Sequence, residues 1–452
     1  MKLSDIGAFA DVRFYMPKTG GRRNILTRCE PEKFDIYLKY RNHREEKMHS
    51  QLKDEVRTLT DDLFSEIVQI RRDFHRHPEL SEHEERTAQM ICKYLSQWGI
   101  EYKENIGGHG IVGVICGKLK PPAGRRYESV AVRADMDALP IQEAVDCPFK
   151  SENDGVMHAC GHDIHMACLL GTAKILKKLE DKFYGTVKLF FQPAEETVGG
   201  AAQMIADGCM EDPHVGAVIA FHVAPYLPAG VIEFCRGKMN AATCDAVIEV
   251  EGISCHGAHP EGGIDAILAG AQIVTALQSI VSRNLSPTNP GIITIGQFNG
   301  GTKENIVAGD VKMAGTLRAL DPKTMETLKN RVNTVVCGIC QAYGAKPHVR
   351  LHDGYPALIN DVAVCDDFSA MAEELFGREN ICFMEEPSLG ADDFSFFSQR
   401  CDGLYFNVGT DSGKEAHPQK IHSEFFNPDE SCIKNAVIME VLGVLHLLEK
   451  EK

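Results

Sequence analysis

Val187-Lys188-Leu189-Phe190-Phe191-Gln192-Pro193-Ala194-Glu195-Glu196 is the stretch whose reading decides the fold class. It is a short, nearly continuous apolar run that passes directly into polar residues. Runs of this kind suit strands buried on both faces, which parallel sheets require. Working outward, three more strand-type runs occur at residues 111–116, 130–132 and 217–221. Helical patterns at 166–179 and 201–206 separate the later ones. Strands alternating with helices predict an α/β domain with a mainly parallel central sheet flanked by helices. Upstream, Thr60 reads as an N-cap followed by Asp61 and Asp62, with Leu63, Ile67, Ile70 and Phe74 on one face and Pro78 as the stop. A second helix carries Thr87, Ile91, Tyr94 and Trp98, with Gly99 behind it.

The rhythm changes after Gly237. Strand patterns at 246–250, 292–298, 311–317 and 347–351 enclose helical patterns at 264–281 and 322–343, in the order βαββαβ of a ferredoxin-like unit. After Gly354-Tyr355-Pro356 the first style resumes. The expected organisation is a catalytic domain over 51–238 and 352–452 with an inserted domain over 239–351. Residues 1–50 show no sustained period and read as a disordered extension or a misplaced start ahead of Met48.

At 452 residues the chain exceeds what one core organises, in keeping with two domains. Its net charge of -16 argues against a nucleic-acid partner, which needs clustered Lys and Arg. No apolar stretch of membrane-spanning length and no leader pattern are read, so a cytoplasmic protein with reduced thiols is expected from the 16 scattered cysteines. Cys337 and Cys340 form a lone CxxC inside a helical pattern, for which no metal or redox role is assigned.

Polar residues able to do chemistry gather just after the apolar strands. Residues 130–132 lead into Arg133-Ala134-Asp135-Met136-Asp137, 187–191 into Glu195-Glu196, and 217–221 into His222. Between them lies His158-Ala159-Cys160-Gly161-His162-Asp163. In open α/β sheets the carboxyl ends of strands are where ligands bind. Cys160 and His162, two apart across a glycine, place two donors on one ion, and Glu196 and His222 add donors from neighbouring strand ends. Two close cations would clamp an attacking water and a carbonyl oxygen. Glu195 is then the natural base, its pKa lowered by the adjoining charge. Taken singly these residues have plainer readings: Glu195-Glu196 as a solvated face, His222 as a core histidine, Asp135 and Asp137 as turn formers. Their joint placement favours the chemical one.

Arg72-Asp73-Phe74-His75-Arg76-His77-Pro78-Glu79-Leu80-Ser81, Arg133-Ala134-Asp135-Met136-Asp137-Ala138-Leu139-Pro140, His158 to Asp163, Gln192 to Glu196, Gly315-Thr316-Leu317-Arg318 and Ile421-His422-Ser423 together resemble the aminoacylase, hippurate hydrolase and auxin-conjugate amidohydrolase family of dinuclear metallopeptidases. The resemblance runs from about Asp61 to the C-terminus. It implies a metal-dependent amidohydrolase that deacylates N-acyl amino acids or related small amide conjugates. The ligands it implies are Cys160, His162, Glu196, His222 and His422, holding two divalent ions, Zn or Mn, with Co or Ni as further candidates. Glu195 is the implied base and Asp137 orients a ligand. The inserted domain is implied to be a lid and a homodimerisation surface. On it His256 would polarise the scissile carbonyl, and Asn305 and Arg318 would hold the carboxylate of a small-molecule substrate. The sequence departs at Asp392, where the family carries Glu, which shortens the reach of that side chain. A dipeptidase or carboxypeptidase acting on short peptides, an amidase with Cys160 as nucleophile, and a catalytically silent metal- or amino-acid-binding module stand as rivals.

Overall fold

The computed structural model describes residues 31–414, 417 and 420–452, with side chains from residue 51 onward. The chain divides into two units between Glu55 and Val56, and the second, Val56–Lys452, is compact. Residues 1–30 of the expected extension lie outside the described residues, and 31–50 are described only as part of the helix Pro31–Arg76. Thr60 is therefore not a helix start. No breaker precedes it, and its hydroxyl donates to the Val56 carbonyl at 2.8 Å, the i−4 bond of a threonine inside a helix. The next helix, Glu85–Gln97, buries Thr87, Ile91, Cys92 and Leu95. Tyr94 and Trp98, expected on that face, lie at its half-exposed flank and stack on each other at 5.5 Å.

The central sheet has eight strands in the spatial order Glu101–Glu104, Ile111–Cys116, Thr186–Gln192, Ser129–Asp135, Ala217–Pro228, Asp402–Asp411, Ile232–Phe234, Ile381–Phe383. The four middle strands run parallel. Both faces are covered, as the apolar runs require. Ala131, Phe190, Val218 and Ala220 share a core with Ala201, Met204, Phe394 and Phe397. Their strand neighbours point the other way by the two-residue period. There the helices His162–Lys178 and Cys432–Glu449 pack side by side. The run expected to end at Phe221 continues to Pro228 because Val223 and Ala224 are also apolar and find ladder partners. His222 consequently sits within the strand, opposite Asn407.

The βαββαβ segment forms its own layer pair. Its strands lie in the order Gly291–Gly300, Asp310–Ala319, Ala242–Glu251, Lys346–Asp353, all antiparallel. The helices Ala266–Asn284 and Pro322–Tyr343 cover one face through Ile273, Leu277, Ile280, Leu328, Val332 and Val336. Asp265 and Asp321 cap them, accepting from Leu268 N and Thr324 N. Among the described residues one helix, Ala266–Asn284, is long and apolar enough to cross a membrane by length and composition. Here its apolar stripe lies on the four-stranded sheet. Entry and exit of the segment lie together: Thr243 N donates to Tyr355 O at 2.9 Å and Gly354 N to Thr243 O at 3.0 Å. No disulfide occurs among the described cysteines, and Cys337 and Cys340 are both free.

Candidate metal centre and active-site cavity

Gly161, between Cys160 and His162, has φ +88°, and a Cβ there would lie 2.4 Å from Val223 Cγ2. Only glycine supplies both the left-handed backbone and the close approach. It aims Cys160 and His162 toward one point at the start of the helix His162–Lys178. His162 Nδ1 faces Asp137, at 3.2 Å from Oδ1 and 2.9 Å from its carbonyl oxygen. A proton on Nδ1 leaves Nε2 with a free lone pair, and that atom is buried without a hydrogen-bond partner. His222 is arranged alike: Nδ1 donates to Val223 O at 2.8 Å, and Nε2 lies 3.3 Å from Cys160 Sγ. Asp137 also accepts from Glu196 N at 2.9 Å and from the Ser81 hydroxyl at 2.7 Å, tying three parts of the site together.

Of five donor triads among the described residues, two consist only of expected ligands, Cys160–His162–His222 and Cys160–Glu196–His422, each with its ligating atoms within 4.8 Å of one another, and two more, His162–Glu195–Glu196 and Glu195–Asp392–Asp393, include Glu195. The first two share Cys160, so these donor sets lie side by side. The chemistry fits: thiolate, imidazole and carboxylate, with an orphaned imidazole nitrogen at the centre. His165 also lies beside Asp135 and His162. Its Nδ1 bonds Asp135 at 2.6 Å and its Nε2 accepts from Val223 N at 3.1 Å, so it has no lone pair left for a cation.

Glu195 is buried, and burial together with Asp392, Asp393 and Glu196 pushes its pKa well above the usual carboxylate range. The lowering expected from the sequence depends on cations among the donors, which would pull it back down. Burial also raises Glu196, but the His422 and His162 interactions outweigh it and hold that carboxyl low. Burial, reinforced by His165, pushes His222 down to about 4, which keeps the ring neutral as a ligand must be. Behind these groups lies a charge layer that the sequence did not reveal. Arg133 reaches Asp135 at 2.6 Å, Asp393 at 2.8 Å, Asp392 at 3.4 Å and the side-chain oxygen Oε1 of Gln192 at 2.8 Å. Asp393 is pushed up to about 7 by burial and Asp392 against the pull of Arg133. Asp392, the shortened position, accepts from Tyr405 OH and from Phe394 N. One signal for this layer was available: an arginine directly after an apolar strand run is buried only if it is paired. Glu84, which accepts from Ala194 N at 2.9 Å and braces that residue at φ +56°, gave none.

A cavity of about 910 Å³ opens over the centre. Cys160, Glu195, Glu196, His222 and His422 line one wall, and Thr243, Asp245, Thr316 and Arg318 of the four-stranded sheet line another. His256 and Asn305 do not line it. They lie together elsewhere on the inserted segment, where Ile306 pairs with His256 and Gly257 N donates to Asn305 O at 2.8 Å.

Residues 131–442 match the model of "Peptidase family M20/M25/M40". Thermostable carboxypeptidase 1 of Saccharolobus solfataricus is 38% identical over 394 residues, 86% of this chain and 96% of that protein. Hippurate hydrolase of Campylobacter jejuni is 38% identical over 338 residues, 75% of this chain and 86% of its own length. Among solved structures, a Bacillus subtilis protein described as a dinuclear metal binding peptidase from the M20 family has a TM-score of 0.73 at 30% identity, covering 86% of this chain and 99% of that one. Fold, donor set and sequence agree, and the chain belongs to the peptidase family M20/M25/M40, as a metal-dependent amidohydrolase.

Proposed function

We propose that this enzyme deacylates N-acyl amino acids or related small amide conjugates, with Glu195 as general base. The observation that carries the reading is Glu195 on the cavity wall beside two triads that share Cys160. Cys160, His162, Glu196, His222 and His422 would hold two divalent ions, which when bound supply Lewis acidity to the amide carbonyl and to a water. Glu195 takes the proton of the attacking water and returns it to the leaving amine. Asp137 keeps His162 and the Glu196 backbone in place. Arg318, a guanidinium on the facing wall, anchors the substrate carboxylate through a two-pronged hydrogen bond. His256 donates to the oxyanion and Asn305 adds to carboxylate binding. Both lie away from the cavity, so they reach it when the segment 239–351 closes as a lid, or from a second copy of the chain in a homodimer. The free thiols suit a cytoplasmic location.

A panel of N-acetyl amino acids, benzoylglycine and dipeptides, assayed on metal-stripped protein with Zn, Mn, Co or Ni restored one at a time, tests this reading. N-acyl amino acids should be turned over only after an ion returns. Turnover confined to dipeptides would favour the carboxypeptidase reading, which Arg318 suits equally well. Cys160→Asp separates metal from thiolate chemistry: metal-dependent activity in that variant rules out a Cys160 thioester.

A further inference from the structure

We infer that Asp245 selects substrates whose amino-acid part carries a second, positive charge, such as Nα-acyl lysine or Nα-acyl ornithine. The inference rests on the deacylase reading with Arg318 as carboxylate anchor, and adds the class of the leaving amino acid.

The register of the inserted sheet places the two charges. Arg318 pairs with Thr243 and Thr316 with Asp245 on adjacent antiparallel strands. All four line the cavity, so they share one face. Arg318 and Asp245 are diagonal neighbours, about 7–8 Å apart by ordinary sheet spacing. Further along the same face, opposite charges close onto each other: Glu249 pairs with Arg350 at 2.7 Å and Lys312 at 3.6 Å, and Glu251 with Lys346 at 3.1 Å. At the cavity end they stand apart. Neither the Arg318 nor the Asp245 side chain has an ion-pair or hydrogen-bond partner among the described residues.

An open cation and an open anion on one cavity wall, spaced like this, match the α-carboxylate and the terminal ammonium of an extended diamino acid. The amide of such a substrate would point across the cavity to Glu195. The remaining charged groups on the wall are Glu195, Glu196, Asp392, His222, His422 and Lys420. Glu195, Glu196 and the imidazoles are placed for the centre, Asp392 is held by Tyr405 and Arg133, and Lys420 belongs to the segment leading to His422. Asp245 is therefore the acidic group left to meet a substrate cation at the lid wall.

Metal-loaded enzyme and its Asp245→Asn variant, assayed on Nα-acetyl-lysine and on Nα-acetyl-norleucine, which matches it in length without the amine, test the proposal. The wild type should favour the lysine derivative in kcat/KM, and Asp245→Asn should lower that preference about tenfold or more, as loss of a charged hydrogen bond implies. A wild type that favours norleucine, or a ratio that Asp245→Asn leaves unchanged, overturns it. If wild type hydrolyses neither compound, the deacylase reading falls on its own. Calorimetric binding of the two compounds to metal-loaded Glu195→Gln, with and without Asp245→Asn, then decides the role of Asp245. Tighter binding of the lysine compound that disappears with the carboxylate upholds it, and equal binding overturns it.

Discussion

Gly161 shows how one residue without a side chain can govern a centre. A methyl group there would meet Val223 at 2.4 Å in a left-handed backbone. Gly161→Ala should cost about 1–3 kcal/mol or more and weaken metal binding, measured by denaturant unfolding and by metal titration. Glu195→Gln removes the proposed base and leaves the proposed ligands in place, so metal titration should match wild type while turnover is lost; a variant with full turnover would remove Glu195 from the mechanism. His256→Ala should lower turnover about 100-fold or more without changing metal content, since one oxyanion donor is typically worth that much. At this scale the sequence was readable where chemistry forces unusual neighbours. Cys160 and His162 around a glycine, and Glu195-Glu196 after an apolar strand, announced themselves and do come together. The Arg133–Asp393 contact did not, because its partners are 260 residues apart and buried charge pairing leaves no local pattern.

Between the helices His162–Lys178 and Cys432–Glu449 lies Glu440, fully buried, accepting a hydrogen bond from Thr172 at 2.6 Å. Burial pushes its pKa up to about 8, against the Thr172 bond. The unfolded chain ionises this group near its ordinary value, so between about pH 4.5 and 8 the unfolded state is favoured progressively as pH rises. The stability present below that window is lost across it. Glu440→Gln, which can still accept from Thr172, should flatten this slope and raise stability at pH 8 by the order of a few kcal/mol. Melting temperatures at pH 5 and pH 8 read the effect; an equal drop with pH in both proteins would assign the slope to other groups. The elements themselves were legible because their apolar periods are strong: the helix expected at 322–343 is Pro322–Tyr343, and the strand expected at 111–116 is Ile111–Cys116. Errors fell where a local signal competed with context. Thr60 resembles a cap, yet the residues before it are good helix formers. The strand through His222 runs on because a partner strand far along the chain receives it.

For the whole molecule, the change of rhythm after Gly237 precedes a four-stranded layer with its own core. The distance of His256 and Asn305 from the cavity was not readable, since spacing along the chain carries no information about the angle at which an inserted body rests. Removing the ions should destabilise the enzyme by about 2.7–4 kcal/mol when they are present at 100 to 1,000 times their dissociation constants. Thermal melts with and without chelator measure it, and the shift should vanish when Cys160 and His162 are both replaced. The paired strands at Thr243 and Gly354 have one more consequence. Tyr355 N also donates to Thr243 Oγ1 at 3.0 Å across 112 residues of sequence, so the host chain is interrupted by a gap only about one strand spacing wide. Such a segment is a cassette: a linker of a residue or two would reseal the gap, and one inserted sheet could be grafted in place of another. If Arg318 and Asp245 set substrate preference as proposed, exchanging the segment between these two spatially adjacent points should exchange that preference and leave Cys160, Glu196, His222 and His422 on their own elements.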